Sequence, residues 1–191
     1  MQDLSRFKLQ KNFRGRSALA VQIWWVVQAT LFRASPQIAY GYRRWLLRCF
    51  GAKVGERAII RASVKITYPW KVIVGENAWI GDDVVLYSLA NIEIGRNAVV
   101  SQRSYLCTGS HDYTKIDFPL HAFKITVMDE AWVAADVFIA PGVIIGQGAV
   151  IGARSSVFAN MPEGMVCFGY PCKPVRIRLN ESDHGTNSVV S

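Results

Sequence analysis

The sequence lacks the features that mark disulfide-rich, zinc-binding and membrane-spanning proteins. Its four cysteines are scattered and fit no zinc-ligand spacing, which favours small reduced residues of an intracellular protein over two disulfides. There is no convincing secretory signal, and the apolar stretch at residues 17–32 is sixteen residues long, shorter than the ~20 needed to cross a bilayer. Only 19% of the chain is charged and 51% is hydrophobic, which argues against disorder except at the ends.

Acidic residues are also few, because 14 stand against 22 lysines and arginines. The formal net charge is +8 and the pI is near 9.5. This excess suits an acidic partner such as an anionic lipid headgroup, a phosphorylated ligand or nucleic acid, and charge alone does not choose among them.

The first fifty residues predict two helices. One covers residues 17–32, and after Pro36 a basic one covers residues 38–50 and ends before Gly51. This part of the chain holds three tryptophans near arginines: Trp24, Trp25 and Trp45. Two interpretations stay open for residues 17–50. They form either an anchor at a lipid headgroup boundary or a helical cap that buries those aromatic rings on the next domain.

Beyond residue 52 the sequence follows a period of six. Each unit opens with Val, Ile or Leu, at positions 54, 60, 66, 74, 80, 86, 94, 100, 106, 127, 133, 139, 145, 151 and 157. This period fits neither an amphipathic helix nor an alternating strand and is typical of a solenoid of hexapeptide turns. Three units make one triangular coil, and successive coils pair as parallel strands ~4.8 Å apart. Glycine follows six openers, where we expect a tight corner with unusual backbone angles.

The spacing of the openers predicts where the coils are interrupted. Val54, Val74 and Ile94 are twenty residues apart, which is three hexads plus two, so the first two coils each carry an insertion at the same corner. Small or β-branched residues recur four residues after the openers, including Ala90 and Ser110, with Trp70 and Met161 as the exceptions. We therefore predict an all-β solenoid of about five coils at residues 52–178, a helical segment at residues 1–51 and a mobile polar tail at residues 179–191.

One long break interrupts the repeat. After Leu106 the pattern resumes only at Val127, so residues 112–126 are looped out. Long loops in a short-cornered repeat usually have a function. His111 stands at the foot of this loop, where a rigid coil would hold an imidazole as a general base. The alternative is an exposed histidine without a role, and spacing alone does not decide between the two.

Together with the hexads, residues 107–113 (CTGSHDY) resemble the left-handed parallel β-helix acyltransferases, in particular sugar O-acetyltransferases of the galactoside, maltose and nodulation type. With residues 46–55 (LLRCFGAKVG) and 86–89 (LYSL), the match is similar to the colanic acid biosynthesis acetyltransferases. The resemblance covers roughly residues 40–178. It implies a homotrimer in which His111 takes a proton from a sugar hydroxyl as that hydroxyl attacks acetyl-CoA, with direct transfer and no metal.

The resemblance also implies which residues hold the cofactor. Trp132 and Ala135 would line the groove for the pantetheine arm between two subunits, and Ala153 would contact it one coil further on. Lys173 and Arg176 would meet the CoA phosphates, although exposed charge without a role is the alternative for both. Relatives often carry Thr-Lys where this chain has Phe158 and Ala159, so one lysine contact is missing.

The acceptor is the least determined part. Asp82, Tyr87 and Ser88 lie in the coil before His111 and are candidate sugar contacts, although each is also an ordinary exterior residue of a solenoid. The expected acceptor is a lipid-linked oligosaccharide at the inner membrane face or a soluble nucleotide sugar. We expect a cytoplasmic protein with peripheral membrane contact through residues 17–50, and no nucleic-acid partner.

Two other functions remain open for the same fold. One is a non-catalytic trimeric scaffold in a larger assembly. The other is a zinc-dependent protein similar to the carbonic anhydrases, which hold the metal with three histidines. This chain has three: His111, His121 and His184.

Overall fold

The computed structural model describes residues 2–179. Helix α1 spans Ala18–Val27 and continues as a π-helical turn at Gln28–Phe32, and helix α2 spans Tyr40–Cys49. Short 3₁₀ turns lie at Leu4–Arg6 and Pro69–Lys71. In this part of the chain no helix has the length and apolar character required to span a membrane.

Nineteen short strands follow the helices. They are β1 (Lys53–Val54), β2 (Ile59–Ile60), β3 (Lys65–Ile66), β4 (Val72–Val74), β5 (Trp79–Ile80), β6 (Val85–Tyr87), β7 (Ile92–Ile94), β8 (Val99–Val100), β9 (Tyr105–Cys107), β10 (Gly109–His111), β11 (Leu120–Ala122), β12 (Ile125–Val127), β13 (Trp132–Val133), β14 (Phe138–Ile139), β15 (Ile144–Ile145), β16 (Val150–Ile151), β17 (Ser156–Val157), β18 (Met165–Gly169) and β19 (Cys172–Ile177).

The strands form the three walls of a triangular prism. The first sheet is β1-β4-β7-β12-β15, the second is β2-β5-β8-β13-β16-β18-β19, and the third is β3-β6-β9-β14-β17. Pairing within these three sheets is parallel except between β18 and β19, and each opener lies beside the opener of the next coil, as Val54 lies beside Val74. The predicted parallel solenoid is confirmed. Five coils are complete, and a sixth begins with the Ile145–Met161 bridge and β18.

The core is a continuous apolar column inside the prism. All fifteen openers are buried, with at most 8% of any of them exposed. The residue four places after an opener is buried wherever the hexads are regular, and Trp70, predicted as an exception, is one. The placement of Ala90 and Ser110 in this row was wrong, because Ala90 is only partly buried and Ser110 is exposed. Each insertion adds two or more residues between an opener and the inward position that normally follows it. In these coils the inward position is therefore filled by the residue two places before the next opener: Val72, Ile92 and Ile125.

The glycines after the openers have a different cause from the expected one. Gly55, Gly75 and Gly95 do not have positive φ; the left-handed residues lie two positions later, for example Asn77 at φ 56° and Asn97 at φ 55°. A Cβ on Gly75 would lie 2.5 Å from the backbone nitrogen of Arg96 in the next coil. These positions therefore need glycine because neighbouring coils approach too closely for a side chain.

The interruptions gather on the edge between the third and first sheets, which we call the insertion edge. Coil one inserts the 3₁₀ turn Pro69–Lys71 there, and coil two inserts residues 88–91. In coil three β10 and β11 form an antiparallel hairpin, with His111 opposite Leu120. The predicted loop at 112–126 is thus too long at its C-terminal end and misses β10, since pairing within the prism resumes at Ile125.

The helices cover the open end of the first coil. The backbone carbonyls of its three strands accept hydrogen bonds from side chains of α1 and α2: Trp24 to Ile66, Arg43 to Ile60, Arg44 to Ala58 and Arg48 to Val54. Arg43 is fully buried, and it also donates to Ser35, Pro36 and Gln37. Edge strands that would otherwise expose unpaired backbone groups are therefore satisfied by side chains.

Candidate active site

His111 ends strand β10 on the insertion edge. Its ring stacks on Phe118, with centroids 4.2 Å apart and planes 7° apart, and Phe7 contacts it from the N-terminal segment at 5.9 Å. The ring Nδ1 lies 2.9 Å from the carbonyl oxygen of Phe118. Since a carbonyl only accepts, this hydrogen bond places a proton on Nδ1 and leaves Nε2 of the neutral imidazole as the basic nitrogen.

The carboxylate of Asp112, next to the histidine, forms its contacts within the turn of the hairpin. It accepts hydrogen bonds from the amide and hydroxyl of Thr114 and lies 3.6 Å from the ammonium of Lys115. The hydrogen bonds from Thr114 hold the pKa of the Asp112 carboxyl below its ordinary value. Asp112 therefore closes the turn of the hairpin, and the backbone of Phe118 orients the imidazole.

Residues 2–16 cross the hairpin, and we call them the N-terminal strap. The amide of Asp3 donates to the carbonyl of Ile116 at 2.6 Å, and Phe7 packs on His111. Further along, the carbonyl of Phe13 accepts from the Lys71 ammonium at 2.7 Å, and that of Arg14 accepts from the Trp70 indole. The strap thus runs from the imidazole to the 3₁₀ turn of the first coil.

A cavity of about 500 Å³ lies between the strap and the insertion edge, and we call it the strap cavity. The strap contributes Gln10 and Phe13; the insertions contribute Lys71, Leu89, Ala90 and Asn91; and the hairpin side contributes Leu120, His121, Ala122 and Lys124. Side chains alternate between the two faces of a strand, and directly paired residues share a face. His111 therefore shares its hairpin face with Leu120 and Ala122, which line the cavity.

The three candidate acceptor residues lie in different surroundings. Tyr87 is half-buried at the base of the hairpin beside Gly109, and burial raises the pKa of its phenol. Ser88 is fully buried, and its hydroxyl both accepts from the amide of Tyr68 and donates to the carbonyl of Tyr68. Asp82 lies on the edge between the second and third sheets, away from the hairpin.

The Asp82 carboxylate is already engaged. It accepts from the Arg61 guanidinium at 2.8 Å and from the Ser63 hydroxyl at 2.9 Å. Burial pulls the pKa of this carboxyl upward, but the hydrogen bonds from Arg61 and Ser63 outweigh it and the pKa lies below its ordinary value. Of the three candidates, only Tyr87 lies beside the hairpin of His111; its ring packs against Tyr105, with ring centroids 6.1 Å apart.

The two histidines of the hairpin cannot share a metal ion. His111 pairs with Leu120 and His121 pairs with Ser110, so their side chains leave opposite faces of the hairpin. Within residues 2–179 no three His, Cys, Asp or Glu side chains are grouped as metal ligands. His184 lies outside the described residues.

No model of a protein family matches the sequence. The chain is 55% identical over 179 residues to WcaF of Escherichia coli strain K12, whose name marks it as a candidate colanic acid biosynthesis acetyltransferase; the match covers 94% of this chain and 98% of WcaF. The chain belongs to the hexapeptide-repeat acetyltransferase family.

Solved acetyltransferase structures share the fold. A galactoside acetyltransferase in complex with coenzyme A matches with a TM-score of 0.81 at 23% identity, covering 96% of this chain and 92% of the other. A hexapeptide-repeat acetyltransferase of Vibrio cholerae in complex with acetyl-CoA matches with a TM-score of 0.79 at 22% identity, covering 87% and 92%. The prism of this acetyltransferase is accordingly a left-handed β-helix.

The candidate cofactor residues of the acetyltransferase lie together, but not near His111 of the same chain. Trp132 projects from β13 of the second sheet, 45% exposed, with its indole nitrogen 3.0 Å from the hydroxyl of Ser101. Ala135 and Ala153 occupy equivalent positions of successive coils on the edge between the second and third sheets. His111 lies on the insertion edge, so the third sheet separates the two groups within one subunit.

The two basic candidates lie at the C-terminal end of the acetyltransferase. Lys173 and Arg176 are exposed on β19, which pairs antiparallel with β18 and so extends the second sheet above Trp132. Phe158, at the position of the missing Thr-Lys pair, is 54% exposed and packs between Phe138 and Tyr170 at ring separations of 6.0 and 6.1 Å. An aromatic contact therefore stands where the family pattern has a polar one.

The strap and Phe118 were not predicted as neighbours of His111. The strap comes from the far N-terminal end of the chain, Phe118 lies in the interruption after the histidine, and neither belongs to the six-residue period. The single hint was Trp70, whose break of the plus-four row coincides with the point where the strap is fastened.

Proposed function

We propose that this acetyltransferase moves the acetyl group of acetyl-CoA to a hydroxyl of a sugar in exopolysaccharide or related glycan biosynthesis. His111 acts as the general base. The observation that carries this is the Nδ1 contact with the Phe118 carbonyl, because it fixes the ring and leaves Nε2 to accept a proton. The relationship to WcaF supports the biosynthetic setting.

The reaction needs only one proton acceptor and a pocket for the developing charge. Nε2 of His111 takes the proton of the sugar hydroxyl while its oxygen attacks the thioester carbonyl. The tetrahedral intermediate then collapses, the C–S bond breaks, and the imidazolium returns the proton to the CoA thiolate. Backbone amides along a coil edge would stabilise the oxyanion, as preorganised donors do in other acyl transfers.

Release of CoA thiol is the direct measurement of this activity. Purified protein is incubated with acetyl-CoA and a panel of glycosides, sugar phosphates and oligosaccharides, and the acetylated product is identified by mass spectrometry. Thiol release that depends on a sugar supports the proposal. Background hydrolysis that no acceptor accelerates, with well-folded protein, would favour the scaffold alternative.

A cyclic trimer would bring the separated halves of the site together. The insertion edge of one subunit, with His111, would face the neighbour's edge that carries Ala135 and Ala153. The second sheet supports such contact because its outward side chains form an apolar row in register, the second-sheet ladder: Ile59, Trp79, Val99, Trp132, Val150 and Val166. Trp79 is 55% exposed in a single subunit. Exposed apolar rows of this kind mark interfaces.

Replacing Trp79 by lysine should weaken the trimer and reduce acetyl transfer in parallel. The lysine places a charge in the middle of the second-sheet ladder, and an unpaired buried charge is costly. Light scattering of wild type should give three chains, and the variant should shift to monomer on dilution. Tyr42→Lys in α2, an exposed aromatic outside the ladder, is the matched control. Equal masses for wild type and both variants at every concentration would contradict this interface.

The outer faces of α1 and α2 support peripheral contact with the inner membrane face. Together with the π-helical turn and the connection between them, the helices expose large apolar and aromatic side chains: Leu19, Ile23, Trp25, Val26, Leu31, Ile38, Tyr42 and Trp45. An apolar groove of about 650 Å³ lies between the helices, and Arg33 is exposed beside Leu31. Apolar side chains edged by arginine suit anionic headgroups, and cyclic symmetry would place three such surfaces at one height for a multivalent contact. The acceptor would then be lipid-linked.

Vesicle sedimentation tests the membrane contact. Wild type should bind phosphatidylglycerol vesicles more strongly than phosphatidylcholine vesicles, and Leu31→Glu should weaken binding about thirtyfold, because a buried leucine contributes roughly 2 kcal/mol. Ile144→Glu makes a similar change on the first sheet, far from the helices, and should bind like wild type. If wild type ignores anionic vesicles, the acceptor is better sought among soluble sugars.

A further inference from the structure

The strap cavity has an unusual charge balance. Lys71 and Lys124 line it, and its lining contains no aspartate or glutamate. Lys124 is paired outside the lining with Glu93, at 2.7 Å. Lys71 has no carboxylate within ion-pair distance among residues 2–179, so its charge is not neutralised by an acidic side chain there.

Lys71 is held in a rigid cage. Its ammonium donates to the carbonyls of Phe13 at 2.7 Å and Leu89 at 2.5 Å, and it lies over the rings of Phe13 and Tyr68 at 5.2 and 5.4 Å. An ammonium has three N–H groups, so two carbonyls leave one for a further acceptor. Burial lowers the pKa of this ammonium, which is the cost of holding a cation there without an anion.

The remaining lining suits a sugar. Gln10 and Asn91 offer amide donors and acceptors, and Leu89 and Leu120 offer apolar surface. A volume of about 500 Å³ is in the range of small-molecule sites. The lining takes Leu120 and Ala122 from the hairpin face that carries His111 and His121 from the opposite face, so the cavity lies along strand β11, the strand that pairs with the one ending at His111.

We propose that the strap cavity binds an oxyanion carried by the sugar acceptor, a phosphate or a carboxylate, with the Lys71 ammonium as its principal contact and Lys124 as a second cation. This deepens the proposed function, on which it rests, by naming a class of acceptor: an acidic or phosphorylated sugar. Charge-assisted hydrogen bonds are about twice as strong as neutral ones, so this contact would select anionic acceptors over neutral ones.

Direct binding measurements test the site without catalysis. Calorimetric titration of the full-length protein with glucose 1-phosphate, glucuronate and methyl glucoside separates a phosphate, a carboxylate and a neutral sugar. We expect at least one anionic ligand to bind about tenfold or more tightly than methyl glucoside, with affinity falling as salt rises. Preference for glucose 1-phosphate identifies a phosphorylated acceptor, and preference for glucuronate identifies an acidic sugar. Equal binding of all three overturns the proposal.

Three variants separate charge recognition from structural support, because Lys71 also fastens the strap. Lys71→Met should reduce the preference for the anion at least about tenfold, and Lys71→Arg, which keeps the charge but not the shape of the ammonium, should retain part of it. Lys65→Met removes a lysine exposed on β3, away from the cavity, and should retain the preference. If Lys71→Met weakens neutral and anionic ligands by the same factor, Lys71 only supports the strap and the proposal fails.

A fourth variant changes the charge without touching Lys71. Glu93→Gln removes the carboxylate that pairs with Lys124, so anion binding should become several-fold tighter. Unchanged or weaker binding counts against the site. The acetylation assay separates failure of the anion site from failure of the proposed function. Equal transfer to neutral and anionic sugars overturns only the anion site, whereas thiol release that no acceptor accelerates overturns the proposed function.

Discussion

Replacing His111 by alanine should lower kcat for sugar acetylation by about 10²–10⁴-fold, the usual contribution of a single general base. The Michaelis constant for acetyl-CoA should change much less, because the substitution removes the base and leaves the candidate cofactor residues Trp132, Lys173 and Arg176 in place. His111→Asn is the sharper variant. Its side-chain amide can still donate towards the Phe118 carbonyl, but it has no basic nitrogen, so it should be as inactive as the alanine variant.

The comparison needs a variant of the same hairpin that leaves the base in place. Tyr113→Ala removes an 84% exposed ring two residues further along and should stay within a few-fold of wild type. Light scattering and thermal unfolding confirm that all variants keep their assembly. Retention of most activity in both His111 variants would sink the catalytic assignment and return attention to a scaffold.

Gly75→Ala should destabilise the protein by about 3 kcal/mol, at the upper end of the cost of overpacking. A Cβ there would meet three backbone atoms of the next coil within 2.7 Å, among them the nitrogen of Arg96 and the carbonyl carbon of Gly95. Backbone atoms in a stacked solenoid cannot rotate away as a flexible side chain can. The two coils must separate locally, and their parallel hydrogen bonds weaken.

Gly41→Ala is the matched control for that substitution. It makes the same chemical change in α2, where the nearest atom is the Arg44 guanidinium at 3.8 Å, and it should stabilise the helix by roughly 0.5–1 kcal/mol. Urea unfolding at one protein concentration measures both, since assembly makes stability depend on concentration. A loss below about 0.5 kcal/mol at Gly75 would be no more than an ordinary surface change and would mean that the coils are more compliant than their contacts indicate.

The prism could be predicted because its cause is local and repeated. Every opener occupies an equivalent place, so fifteen weak signals add to one strong one, and the insertions declare themselves as departures from the period. The structural reason for glycine after the openers could not be predicted from the sequence in the same way. Left-handed backbone and close approach both favour glycine in a sequence, and only the stacking of Gly75 on Gly95 shows which applies.

The candidate site was less accessible to sequence reasoning. His111 is marked by its position at the end of a broken repeat, but its orienting group is the backbone carbonyl of Phe118, which no side-chain pattern encodes. The strap reaches the hairpin from a hundred residues away along the chain, without periodicity. Ser88 looked like an exterior residue because the insertion was assigned without its hydrogen bonds to Tyr68.

The helical cap also limits self-association of the prism. Nothing in the repeat itself limits the number of coils, and each end coil of a solenoid exposes three strand edges. Another copy could pair with these edges and so begin a fibre. Here Trp24 and three arginines occupy the carbonyls of the first coil, while β19 closes the second sheet at the other end by running antiparallel. The buried Arg43 thus does more than stabilise a fold, because it helps to stop one molecule from becoming the template for the next.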